Sequence, residues 1–101
     1  MEKKTLILSG DDVNQIVETY GLNRLMDTLI KRTADTIRNY DPEQTEIPIR
    51  SGFNYDINDP GLVEWMPVHQ KGDEVVIKVV GYHPRNPQKY DLPTILSSIS
   101  S

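Results

Sequence analysis

Three charges interrupt stretches that otherwise read as apolar strand, and they offer most of the chemistry in the chain. Arg50 stands between Ile49 and the small pair Ser51-Gly52. Glu64 separates Leu62-Val63 from Trp65-Met66, and Lys78 separates Val75-Val76-Ile77 from Val79-Val80. An unpaired buried charge is expensive, so each must face solvent, find a partner or line a pocket. Neighbouring strands lie ~4.8 Å apart, so side chains from three adjacent strands converge if they share a face. Two cations and a carboxylate in that arrangement suit an amino acid. The cations hold its carboxylate, bidentate Arg being the strong form of that contact, and Glu64 holds its ammonium. The other reading is that all three are outward polar residues on strands with one wet face, and on pattern alone that is the commoner case.

Other chemistry is sparse. Without Cys there are no disulfides, thiolate nucleophiles or Cys-based zinc sites. The six glycines are scattered, with neither a G-x-G-x-x-G nor a Walker pattern, so no nucleotide site is visible. His69 and His83 lie far apart with no i,i+4 partner, which is not the clustering a metal needs. Nothing points to a Ser-His-Asp arrangement. We therefore assign no catalytic residue and no metal ligand.

The elements that must position the three charges follow from local pattern. From Gly61 to Pro87 the chain reads as a hairpin, two apolar runs around the polar turn Gln70-Lys71-Gly72-Asp73. Upstream, Thr5–Leu8 has the look of a first strand. Ser9 is an N-cap candidate, with Asp12 reaching back in a variant of the capping box. Val13, Ile16, Val17 and Tyr20 follow at helical spacing, and Gly21 ends that helix. A second helix starts near Leu22. Leu22, Leu25, Met26, Leu29, Ile30, Thr33 and Ile37 form one stripe that should cover a core. Its opposite face is charged, with Asp27 and Lys31 placed for an i,i+4 pair, and Asp41-Pro42 stops it. Residues 45–55 are strand-like, with Pro48 marking an edge or a bulge. Residues 56–61 form a dense turn, the His83–Pro87 region a loop, and residues 92–101 a last strand.

This order predicts an α+β domain over residues 1–101: two amino-terminal helices packed on a mainly antiparallel sheet of four to five strands. With 37% apolar residues in 101 positions, cover for both sheet faces is thin. The sequence stops in SSISS without a closing turn. We therefore expect a partner chain or a further domain to complete the open sheet. The formal net charge is −4 and no basic run exceeds two residues, which speaks against nucleic-acid binding. No apolar stretch approaches the ~20 residues that span a membrane. The opening MEKKTLILSG is too short for a secretory h-region. Cytoplasmic residence is the default expectation.

Several stretches resemble the amino-terminal part of the ornithine cyclodeaminase / mu-crystallin family. They are GLVEWMP (61–67), VVIKVVGYHPRNP (75–87), LPTILSSIS (92–100) and the opening LILSGDDV (6–13). The glutamate two residues before Met-Pro, the strand lysine and a His-Pro-x-Asn turn occur in order. One departure is Gly81-Tyr82, where cyclodeaminases tend to have Asn-Gly before the His-Pro. The resemblance implies a substrate-binding and dimerisation domain, partnered in the whole protein by a Rossmann domain holding NAD(H) or NADP(H) outside these residues. It implies Arg50 as the grip on the substrate carboxylate, with Lys78 beside it. Glu64 would hold an amino group of ornithine, Met66 belongs to a Met-Pro turn lining the pocket, and Thr94 would add a hydrogen bond to the carboxylate. The implied parent reaction converts L-ornithine to L-proline and ammonia with NAD⁺ as hydride carrier, this chain alone being inactive. Relatives reduce ketimines, dehydrogenate alanine, or bind a ligand without obvious catalysis. The partners implied are a small amino or keto acid and a second copy of the chain. A plain interaction domain with surface charges is the remaining alternative.

Overall fold

A computed structural model describes residues 3–55 and 57–101. The chain forms two compact units, Met1–Tyr40 and Asp41–Ser101.

The first unit is a pair of helices, α1 (Gly10–Tyr20) and α2 (Leu22–Arg38). The expected capping box is present. The Asp12 N–H donates to the Ser9 hydroxyl at 3.2 Å, and the Ser9 N–H donates to the Asp12 carboxylate at 2.8 Å. Gly21, at φ +92°, closes α1 and opens α2, a backbone geometry that side chains resist. At this corner the Arg24 guanidinium lies 4.2 Å over the Tyr20 ring, and the Tyr20 hydroxyl meets Thr28 Oγ1 at 3.1 Å.

Three expectations for this unit need correction. Thr5–Leu8 is not a strand, since no strand among the described residues offers it a ladder. The apolar stripe of α2 exists at the expected spacing, but no residue of α2 is buried, because the first unit holds nothing that covers it. Asp27 and Lys31 do not come within 4.0 Å, and the ion pair on α2 instead joins Asp35 and Arg38 at 3.4 Å.

The second unit is an antiparallel sheet: β1 (Thr45–Glu46), β2 (Ser51–Asn54), β3 (Leu62–Gln70), β4 (Glu74–Tyr82) and, after the short helix α3 (Asn86–Tyr90), β5 (Ile95–Ser100). β1 and β2 both pair with β3, followed by β4 and then β5. With its helices and this open sheet the chain is α+β, as the residue pattern predicts. The β3–β4 hairpin forms as expected. Its turn closes through the Asp73 N–H to the Gln70 carbonyl at 3.0 Å, with Gly72 at φ +74°.

Residues 45–55 do not form one strand. Between the pairs Glu46↔His69 and Ser51↔Trp65 the edge advances five residues while β3 advances four, so one extra residue is bulged out around Pro48. Proline cannot donate to a ladder. Pro67 falls within the stretch of β3 that neither β1 nor β2 pairs, so its missing N–H also meets the gap. Met66-Pro67 is therefore not a turn but the interior of β3.

The expected last strand begins at Ile95 rather than Leu92. Residues 91–94 are taken up by the exit from α3, which leaves through Asp91 in the left-handed region. α3 itself was not foreseen, since five residues that include Pro87 read as loop.

Candidate functional site

Register decides whether the three charges meet. Side chains alternate along a strand, and directly paired residues share a face. The pairs Glu64↔Val80, Met66↔Lys78 and Gly52↔Glu64 put Gly52, Glu64, Met66 and Lys78 on one face across β2, β3 and β4. Glu64 and Lys78 are diagonal neighbours, roughly 7–8 Å apart at their backbones and within reach of long side chains. Arg50 lies immediately before β2. Its Nη1 is 3.2 Å from Glu64 Oε2, so it reaches this same face.

The Arg50 side chain is 62% exposed and that of Glu64 30%. An ion pair this wet is worth ~0–1 kcal/mol, so it adds little to the fold. The contact joins one guanidinium nitrogen to one carboxylate oxygen, leaving the other nitrogens and Glu64 Oε1 for a ligand. Lys78 is exposed, and among the described residues no carboxylate lies within 4.0 Å of its ammonium. The cluster can grip a carboxylate with two cations and accept an amine on one carboxylate. Met66, directly across from Lys78, is the apolar surface between them.

Thr94 does not join this group. Its carbonyl accepts from the His83 N–H at 2.8 Å, which puts it level with His83, just past the end of β4 and five residues from Lys78. At about 3.3 Å per residue that is roughly 16 Å away. The opposite face carries Phe53 and Trp65, edge to face at 5.3 Å, which hold β2 against β3.

The histidines have separate local roles. His69 Nδ1 meets Glu46 Oε1 at 3.0 Å. The His83 ring stacks obliquely on Tyr55, centroids 5.2 Å apart. It lies where a Cβ on Gly61 would be 3.0 Å from its Cδ2, and one on Gly81 3.2 Å from its Cε1. Sequence reasoning missed this seat, although a glycine on either flank of the hairpin was its signal. It also missed a clamp between α3 and the turn before β3. There Arg85 donates to the Asn58 carbonyl at 2.9 Å and Lys89 meets Asp59 at 3.3 Å. A groove of about 650 Å³ in the first unit, lined in part by Leu8, Ile16, Tyr20 and Arg24, contains none of the candidate residues.

No family model matches the chain. Over 98 residues, 96% of its length, it is 35% identical to the L-lysine cyclodeaminase of Streptomyces rapamycinicus, of which it spans 29%. A solved lysine cyclodeaminase, described for its recognition of L-lysine, L-ornithine and L-2,4-diaminobutyric acid, matches with a TM-score of 0.78 at 35% identity. That match covers 96% of this chain and 28% of the other. The chain thus spans less than a third of the length of the relatives it matches. Sequence and backbone agree along nearly the whole chain, which is similar to the amino-terminal part of lysine cyclodeaminase, an enzyme of the ornithine cyclodeaminase / mu-crystallin family.

Proposed function

We propose that this chain is the substrate-binding and dimerisation part of an NAD-dependent cyclodeaminase acting on an α,ω-diamino acid, with L-ornithine the first candidate. The observation that carries the reading is the placement of Arg50, Glu64 and Lys78 on one sheet face, with Arg50 and Glu64 3.2 Å apart. Arg50 and Lys78 take the carboxylate, Glu64 takes an amine, and Met66 lies along the methylenes. The related enzyme's three diamino acids fit a site with one acid among its cations. Glu64 is the residue that separates such substrates from alanine or a keto acid. The geometry gives no support to a role for Thr94.

NAD finds no seat among these residues. Gly10 opens α1 but is followed by Asp11 and Asp12, whose charges repel a pyrophosphate. Gly52, Gly61 and Gly81 lie in or beside strands, where an added Cβ would press on neighbours, and Gly21 and Gly72 serve turns. The cofactor belongs to other residues of the protein, and this chain's part is to bind and orient substrate. Dimerisation is proposed for the sheet, because all six residues of β5 are exposed and its outer edge is unpaired among the described residues.

Calorimetry tests the reading. L-ornithine, L-lysine or L-2,4-diaminobutyrate should bind at least tenfold more tightly than L-alanine or pyruvate. Arg50→Ala or Lys78→Ala should weaken that binding about tenfold, the size expected for losing one charge-assisted contact. Equal affinity for alanine and the diamino acids, or no heat from any of them, overturns it. The protein carrying this chain, given L-ornithine and NAD⁺, should release ammonia.

A further inference from the structure

We propose that Gly52 is a positioning residue of this grip: its bare backbone is what lets Arg50 reach Glu64. The functional meaning rests on the reading above, but the geometry stands without it. Gly52 pairs directly with Glu64, and Arg50 lies two residues upstream on the same edge. The guanidinium therefore ends over the one position of β2 that has no side chain.

A Cβ at Gly52 would overlap the Val63 carbonyl oxygen and lie 2.8 Å from Glu64 Cα. Both are backbone atoms of β3. β3 cannot retreat, because β4 holds it from the other side through Val63↔Gly81 and Glu64↔Val80. The element that yields is β2, an edge strand entered through the bulge at Pro48. Ordinary contact begins at 3.4 Å, so relief from Glu64 Cα alone needs more than half an ångström, and relief from the carbonyl needs more. Arg50 moves with its strand, and a pair that starts at 3.2 Å parts. An interior strand glycine costs stability for want of a side chain to pack. Here the close approach of β2 and the path of Arg50 both account for it.

The test compares L-ornithine binding by wild type, Gly52→Ala, Arg50→Ala and the double variant. Gly52→Ala should weaken binding about tenfold alone and have no further effect once Arg50 is Ala, the non-additivity expected of a residue that acts through another. Unchanged affinity, or the same tenfold loss in the Arg50→Ala background, overturns the proposal. Arg50→Lys keeps the charge but loses the fork and some reach. It should weaken binding similarly, and wild-type affinity would count against the proposal even where Gly52→Ala fails to fold. If wild type binds no ornithine, the functional reading falls by itself, and ligand-free crystal structures decide the geometry. Separation of Arg50 from Glu64 beyond 4 Å in Gly52→Ala supports the role of Gly52, and an intact pair overturns it.

Discussion

Glu64 has two prospective partners, and their energies differ in kind. Its contact with Arg50 is at the surface, where pairs contribute ~0–1 kcal/mol. Glu64→Gln keeps the shape and removes the charge. Urea unfolding should therefore find the variant within about 1 kcal/mol of wild type. L-ornithine affinity should fall towards that for L-alanine, because the second amine loses its counter-charge. A large loss of stability with unchanged selectivity would make Glu64 a structural residue. Glu64 and Lys78 stand out in the sequence because each breaks an apolar run, and Arg50 because it sits within a strand-like one. That Arg50 and Glu64 would pair with one another was not legible. A one-residue change of register moves a side chain to the other face, and here register is set across the bulge at Pro48. Thr94, implied by the resemblance, stands level with His83 rather than Lys78, a level set by β4–β5 pairing that its sequence neighbours do not reveal.

The elements that could be read were those whose determinants are local. Ser9 and Asp12 satisfy one another within a single turn, and Lys71-Gly72-Asp73 turns the hairpin within three residues. The Asp12 carboxyl is held below the ordinary carboxylate range, first by the Ser9 N–H and then by the Ser9 hydroxyl. A carboxyl lowered in the folded state stabilises fully above its unfolded value, and that contribution fades as pH falls through the lowered one. Circular dichroism at 222 nm should thus show α1 persisting into acid below the ordinary carboxylate range before it frays. Ser9→Ala should move that fraying to higher pH and cost about 1 kcal/mol at neutral pH. Gly72→Ala puts a side chain at φ +74° and should destabilise the hairpin by about 1 kcal/mol in urea unfolding. Thr5–Leu8 and the stripe of α2 were misjudged because a strand needs a ladder and a core needs a cover. Neither is encoded within ten residues.

At the scale of the whole molecule, apolar surface outruns its cover. No side chain among the described residues is buried, Ile99 of β5 being 70% exposed. β5 carries no Lys, Pro or bulge along its free edge, the devices that keep edge strands from pairing with other chains. An edge of this kind is a template for another strand, which is the physical basis for proposing a dimer through the sheet. Ser98 pairs with Val79, on the face opposite Lys78 and Ile99, so a lysine there protects the edge without entering the amino-acid grip. Sedimentation equilibrium should give a dimer for wild type and a monomer for Ser98→Lys, with L-ornithine affinity per chain retained. A wild-type chain that sediments as a monomer, with Ser98→Lys indistinguishable from it, would remove the dimer from the proposal. The cover for this edge would then have to come from further residues of a longer polypeptide, and the same lysine placed in that longer protein should lower its stability instead of its mass.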